Sequence, residues 1–305
     1  MVGGAIMSAY RGSPNDVELL TASRSELDLT NQNHVQSFIE KSRPDIVIIA
    51  AAKVGGIHAN NTYPADFIYE NIMIQANLIN ASFQSDVKQL LFLGSSCIYP
   101  RNGPQPLKEE DLLSGYLEKT NQAYAIAKIA GIELCQAYNK QHGTDYRALM
   151  PTNLYGPGDT YHLQNSHVIP AMIKKFYDAK VNSQEEVVLW GTGTPLREFL
   201  YVQDLADICL KVLDLPKETF QHETGSDCCY LNVGCGLDIT IKDLANMVSA
   251  IVGFNGSIIF DSGMPDGTMR KVLDVSKLNN LGIYSNVTLE SGLKATIEGY
   301  INNLV

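Results

Sequence analysis

The strongest constraint on this chain is an alternation. Short, nearly continuous apolar runs, "DVELLTA" (16–22), "DIVIIAAA" (45–52), "QLLFLGSS" (89–96) and "YRALMPTN" (146–153), are separated by stretches of helical period at about 31–42, 64–85 and 121–141. Runs that lack a polar face suit parallel strands covered on both sides. Strand–helix–strand repetition predicts an α/β fold built on a doubly wound parallel sheet. Gly143, in "HGTD", is placed for a left-handed C-cap, and Thr240 for an N-cap. After about residue 156 the pattern loosens into the long polar loop "YGPGDTYHLQNSHVIPAM" and then into mixed strand, turn and helix. A nucleotide-binding domain is therefore expected over 1–155, with about 196–215 and 229–236 weaving back to it. A smaller α/β substrate-binding domain is expected over most of 156–305.

Composition narrows the function classes. The chain has 305 residues, 45% of them hydrophobic, and a formal net charge of −10. That length supports a large core, while the acidic balance argues against a nucleic-acid partner, which needs a basic footprint. Six cysteines, Cys97, Cys135, Cys209, Cys228, Cys229 and Cys235, lie scattered through apolar stretches with no C-x-x-C pair. That usage predicts reduced thiols in a cytoplasmic protein and no metal site. No run approaches the ~20 apolar residues of a membrane span, so no membrane partner is expected, and the N-terminus lacks a signal-peptide pattern.

Two motifs carry chemistry. In "NQAYAIAKIA", Tyr124 and Lys128 are four apart on a predicted helix and share a face. An ammonium beside a phenol favours the phenolate and makes the pair a proton donor to a carbonyl under reduction. Alone, Y-x-x-x-K is common on exposed helices. The second motif, "LLFLGSSCIYP", ends an apolar strand in Gly94-Ser95-Ser96-Cys97. Polar groups at the carboxyl end of a parallel strand lie where open α/β sheets bind ligands, although a simple strand cap reads the same way. Together they form a Ser–Tyr–Lys constellation.

With these residues the chain resembles the extended short-chain dehydrogenase/reductase family, whose cofactor domain is a Rossmann fold. The blocks "AAAKVGGIHANNTYPADFIYENIMIQANLI", "MPTNLYGPGD", "NSHVIPAMIKKF", "WGTGTPLREFL" and "MPDGTMRKVLDV" narrow the resemblance to the branch that epimerises and reduces GDP-4-keto-6-deoxy-mannose. The likeness runs from residue 1 to about 300. It implies inversion of the carbons flanking a sugar ketone, then hydride delivery from NADPH. It assigns Cys97 and His167 to the inversion as base and acid, Ser95 and Tyr124 to the ketone oxygen, and Lys128 to the tyrosine and the nicotinamide ribose. A thiolate and an imidazole suit proton exchange with an enolate. By themselves, Cys97 reads as a small buried hydrophobe and His167 as a helix cap.

The cofactor preference can also be read from residue type. A 2′-hydroxyl is held by Asp or Glu after the second strand, whereas a 2′-phosphate needs a cation. "LLTASRSELDL" offers Arg24 there, which suits NADP(H). The resemblance adds Ser25, Glu26, Leu27, Asp28 and Leu29 on the adenosine side. It places Leu93, Gly94, Ser95, Ser96, Pro151, Thr152, Asn153, Leu154 and His167 toward the nicotinamide. For a GDP-sugar it assigns Lys175 and Arg197 to the diphosphate, Trp190 to packing on the nucleotide or sugar, and Asp266 to nucleoside hydroxyls. Trp190 could equally be core and Arg197 a structural ion pair. Lys174-Lys175 stands where relatives carry two arginines, replacing a bidentate fork by a point charge. The resemblance further implies a homodimer through the helices at about 64–85 and 121–141. A dehydratase would place acidic residues beside the strand-end hydroxyl, where this chain has Cys97 and Ile98.

The opening "MVGGAIMSAY" does not fit a complete cofactor motif. Aligned on the family's G-x-x-G-x-x-G turn, Gly3 takes the third glycine, which allows close helix–sheet packing, and "GAIMSAY" becomes the first helix. The expectation is that the sequence starts at an internal Met, about a dozen residues late, without the first strand. The competing reading is a truncated, non-catalytic nucleotide-sugar-binding relic that cannot hold cofactor.

Overall fold

The computed structural model describes residues 1–13, 17–162, 166–264 and 266–304. In chain order the elements begin with α1 (Val2–Gly12), α2 (Gln32–Ser42), β1 (Ile46–Ile49), α3 (Ile57–Thr62), α4 (Pro64–Gln84) and β2 (Gln89–Leu93). They continue with α5 (Gln122–His142), β3 (Asp145–Pro151), β4 (Asn153–Tyr155), α6 (Val168–Val181), β5 (Glu186–Trp190), β6 (Leu196–Tyr201) and α7 (Val202–Asp214). The remainder is α8 (Lys217–Thr224), β7 (Tyr230–Val233), β8 (Asp238–Thr240), α9 (Ile241–Val252), β9 (Ser257–Asp261), β10 (Arg270–Lys271), α10 (Ser276–Asn280) and α11 (Leu289–Asn302).

The main sheet is parallel, in the order β1-β2-β3-β7. Successive residues of its central strands point to opposite faces and both faces are covered, which explains why these segments carry no polar alternation. In β2, Leu90 and Phe92 join the core under α2, α4 and α5, whereas Leu91 and Leu93 join the core under α1 and α7. Chain ends of these helices follow local chemistry. Asn31 caps α2 by accepting from the N–H groups of Asn33 and His34, Gly143 closes α5 at φ +70°, and Thr240 caps α9 through the Asp243 N–H.

A second sheet runs β10-β6-β4, with β8 antiparallel to β6, and β5 pairs with β9 in a small parallel ribbon. These strands share a core with α6, α9 and α11. The chain passes from the first sheet to the second at Pro151–Asn153, because β3 pairs with β7 while β4 pairs with β6. After β6, α7 packs under the first sheet and β7 rejoins it.

One sequence expectation is corrected. The run at 16–22 is not a strand: residues 17–22 belong to no ladder, with Val17 and Leu20 exposed, and Asp16 lies outside the described residues. A strand requires a paired neighbour, and the described sheet has β1 at its edge. The polar loop after residue 156 includes 163–165, which also lie outside the described residues.

Candidate active site

The site starts at the carboxyl end of β2. Gly94 follows the strand because nothing larger fits: a Cβ there would lie 2.4 Å from the Met150 sulfur. The Gly94 N–H donates to the Leu149 carbonyl (2.8 Å), tying the turn to β3. Ser95 then caps a short 3-10 turn over Ser96–Ile98, its hydroxyl accepting from the Cys97 N–H at 3.2 Å. The turn fixes Cys97 beside Ser95, both partly exposed, with Ser96 buried.

Helix α5 supplies Tyr124 and Lys128. Tyr124 sets its ring edge-on to Phe67, and its hydroxyl lies near Ser95 and Cys97. Although the residue keeps some exposed surface, its hydroxyl is desolvated. Burial, followed by the nearby Cys97, pushes its pKa well above the usual tyrosine range, and Ser95 pulls it partly back. Lys128 is 3% exposed, and burial lowers its pKa to about 7. Its ammonium donates to the Leu93 carbonyl (2.7 Å) and lies 5.8 Å from the Tyr124 ring centroid. This corrects the expectation that Lys128 lowers the Tyr124 pKa: the shift runs upward, burial is its largest cause and Lys128 is not among its causes.

A cation absent from the sequence reading completes the cluster. Lys271 Nζ donates to Cys97 Sγ at 3.6 Å. Its residue type was visible, but a contact between positions 97 and 271 leaves no local periodicity or motif to find it by. His167 is at the N-cap position of α6, yet its side chain makes no capping bond. Burial raises the pKa of nearby Asp159, and the Thr160 N–H and the proximity of His167 lower it again.

The strip at the sheet switch is held by buried Glu198. Thr152 Oγ1 (3.3 Å) and Asn153 Nδ2 (2.8 Å) donate to the Glu198 carbonyl. The Glu198 carboxylate accepts from the Gly236 (2.7 Å) and Leu273 (2.9 Å) N–H groups. Pro151 and Thr152 are buried, and Leu154 packs into the core under α1 and α7.

On the adenosine side, Arg24 and Asp28 line a surface groove of about 610 Å³ with Thr30, Ala65, Asp66, Tyr69 and Glu70. Arg24 is 90% exposed and paired only loosely, at 3.4 Å, with Glu70. Lys53 already holds Glu70 (2.6 Å) and Asp66 (3.1 Å), so the guanidinium is available to an anion. The neighbouring residues are engaged locally. Ser25 bonds Ser23, the Glu26 carboxylate accepts from Ser23, and Asp28 accepts from Thr30. Leu27 and Leu29 turn into the core rather than toward the groove. Gly3 faces Ala50, but an added Cβ would sit at 4.0 Å, an ordinary contact. The expected steric demand for glycine there is absent.

A second group of candidates gathers around the end of β5. Trp190 is 54% exposed, which excludes the core reading, and Lys175 Nζ lies 5.9 Å from its ring. Gly191 follows at φ +83°, where a Cβ would strike Asp266 Oδ1. Asp266 accepts from Thr192 N (2.7 Å) and Oγ1 (2.9 Å). It also opposes the burial that lowers the Arg197 pKa. Burial lowers Lys175 as well. Desolvated cations gain most from an anionic ligand.

Residues 1–225 match the NAD dependent epimerase/dehydratase family. The chain belongs to that family. Among its members, the GDP-L-fucose synthase of Escherichia coli K12 is 51% identical over 303 residues, 99% of this chain and 94% of the relative. GDP-L-fucose synthase 1 of Arabidopsis thaliana is 52% identical, covering 100% and 91%. A GDP-D-glycero-L-gluco-heptose synthase from Campylobacter jejuni, solved in the presence of NADPH, superposes with a TM-score of 0.90. It is 35% identical, over 98% of this chain and 95% of that one. The parallel sheet with helices on both faces is the scaffold expected of an NAD dependent epimerase/dehydratase.

Proposed function

We propose that the protein converts GDP-4-keto-6-deoxy-D-mannose to GDP-L-fucose, by 3,5-epimerisation followed by NADPH-dependent reduction of the 4-keto group. The observation that carries this reading is one cluster in which the Cys97 thiol and the Ser95 hydroxyl lie on one turn, with Tyr124 from α5 close enough to both for each to act on its hydroxyl. Roughly 50% identity to GDP-L-fucose synthases along the whole chain supports it.

The residues fit NADP(H). Arg24 offers an exposed guanidinium at the rim of a groove large enough for an adenosine phosphate. Arg24 and Asp28 would hold its adenosine end, and Lys128 and the 151–154 strip its nicotinamide end. When bound, NADPH supplies the hydride.

The protein's own groups do the rest. Ser95 and Tyr124 hold the ketone oxygen and stabilise negative charge there, as an oxyanion site does. Cys97 thiolate takes the proton from a carbon beside the ketone, and His167 returns one to the opposite face. Tyr124, held protonated by burial, then donates its proton to the oxygen as the ketone is reduced. Lys175 and Arg197 hold the diphosphate, Trp190 packs on the nucleotide or sugar, and Asp266 with Thr192 faces the nucleoside hydroxyls. The protein works as a cytoplasmic homodimer joined through α4 and α5. The exposed Ile126 on α5 supports the contact between copies.

The test is NADPH consumption on adding GDP-4-keto-6-deoxy-mannose. Wild-type protein is expected to turn over, and Tyr124→Phe to lose about 10²–10⁴-fold in kcat, the span of general-acid catalysis. Folded wild-type protein that consumes no NADPH would refute the reading.

A further inference from the structure

We propose that Lys271 is a positioning residue that holds Cys97 as the thiolate needed for proton abstraction. This rests on the reading of Cys97 as the base. The ammonium is 3.6 Å from the sulfur, and among the described residues it makes no ion pair with a carboxylate, so its charge is directed to the thiol. The thiolate is the form that abstracts a proton, and a cation in contact with the sulfur favours it.

The backbone around Lys271 is fastened on every side. Strand β10 pairs with β6, with Lys271 in register with Arg197, and the Leu196 N–H donates to the Met269 carbonyl (2.8 Å). On the other edge, Val272 N–H donates to Gln105 Oε1 (3.0 Å) and its carbonyl accepts from Leu107 N–H (2.9 Å). Leu273 N–H is bound by Glu198. In a parallel pair, residues in register share a face. Lys271 and Arg197 therefore point the same way, one toward the thiol and one toward the diphosphate position, while Arg270 turns to pair with Asp238 at 2.6 Å.

The arrangement resolves a conflict between two acids. Among the described residues, Tyr124 from α5 and Lys271 from β10 are titratable groups near Cys97, and Lys128 points away to the Leu93 carbonyl. Without a cation, a thiolate beside Tyr124 would form only at the cost of repelling charge that develops on the oxygen Tyr124 holds. With Lys271 in place, Cys97 carries the negative charge and Tyr124 keeps its proton. The step then balances. The thiolate sulfur gains the carbon's proton, the C–H electron pair becomes the enolate held by Ser95 and Tyr124, and His167 supplies a proton to the other face.

The experiment follows iodoacetamide alkylation of the Cys97 peptide in the full chain as a function of pH, with Lys271→Met, Lys271→Gln and Lys271→Arg. Wild type and Lys271→Arg are expected to show a midpoint below the ordinary thiol range, and Lys271→Met one about a pH unit or more higher. Lys271→Gln serves if the methionine variant does not fold. Solvent-deuterium exchange into the substrate should fall about tenfold or more in kcat for Lys271→Met, with a smaller change in KM. Reduction of the already epimerised ketone should be largely kept. An unchanged alkylation midpoint would overturn the proposal. Normal exchange by Cys97→Ser would instead overturn the assignment of the base, whatever the midpoint shows.

Discussion

Lys128 is the residue whose chemistry differs most from its reading in isolation. In the unfolded chain its amine titrates near ~10.4, but in the fold at about 7. Between those values the unfolded chain binds the extra proton, so stability rises with pH across that window. Below about 7 the burial cost is present in full. Lys128→Met is therefore expected to lose reductase activity yet be more stable than wild type near pH 6, by on the order of a few kcal/mol less the bond to Leu93. The difference should shrink toward pH ~10. Melting curves across pH check this, and a variant equally destabilised at every pH would contradict it. Ser95, Tyr124 and Lys128 were legible in the sequence through motifs on one strand end and one helix, whereas Cys97 had a role only through the family resemblance. Lys271 was not, because its contact spans the two sheets. Nor was the direction of the Tyr124 shift, which depends on desolvation that a four-residue spacing does not encode.

The elements that sequence reads best are those with their own start and stop chemistry. Asn31, Thr240 and Gly143 cap or close their helices as residue type requires. β1, β2 and β3 follow from apolar runs buried on both faces. The extended run 17–22 failed for a physical reason: apolar residues there have the composition of a strand but no ladder partner. The split of "YRALMPTNLY" into β3 and β4 was also hidden, since only tertiary pairing moves the chain between sheets at Thr152. Helices α4 and α5 pack side by side and expose Tyr69 and Ile126. If they form the dimer contact, Ile126→Glu should give a monomer by light scattering, where wild type gives twice the chain mass. A wild-type monomer would contradict the proposed assembly.

At the scale of the whole molecule, a chain of net charge −10 sets desolvated cations near the end of β5. Lys175 lies 5.9 Å from the Trp190 ring and Arg197 interacts with Asp266, so that an anionic sugar nucleotide would be recognised locally against an acidic body. The fold contributes by meeting at one seam. The end of β2 presents Ser95 and Cys97, α5 presents Tyr124, and the second sheet presents Arg197 and Lys271 on one face of β6 and β10. The central claim is that this seam performs both inversion and reduction. The most direct measurement is turnover of GDP-4-keto-6-deoxy-mannose with NADPH in deuterium oxide, followed by NMR of the product. The account predicts GDP-L-fucose carrying solvent deuterium at carbons 3 and 5, with one NADPH consumed per product. A reduced product that retains protium and the starting configuration at both carbons would contradict it.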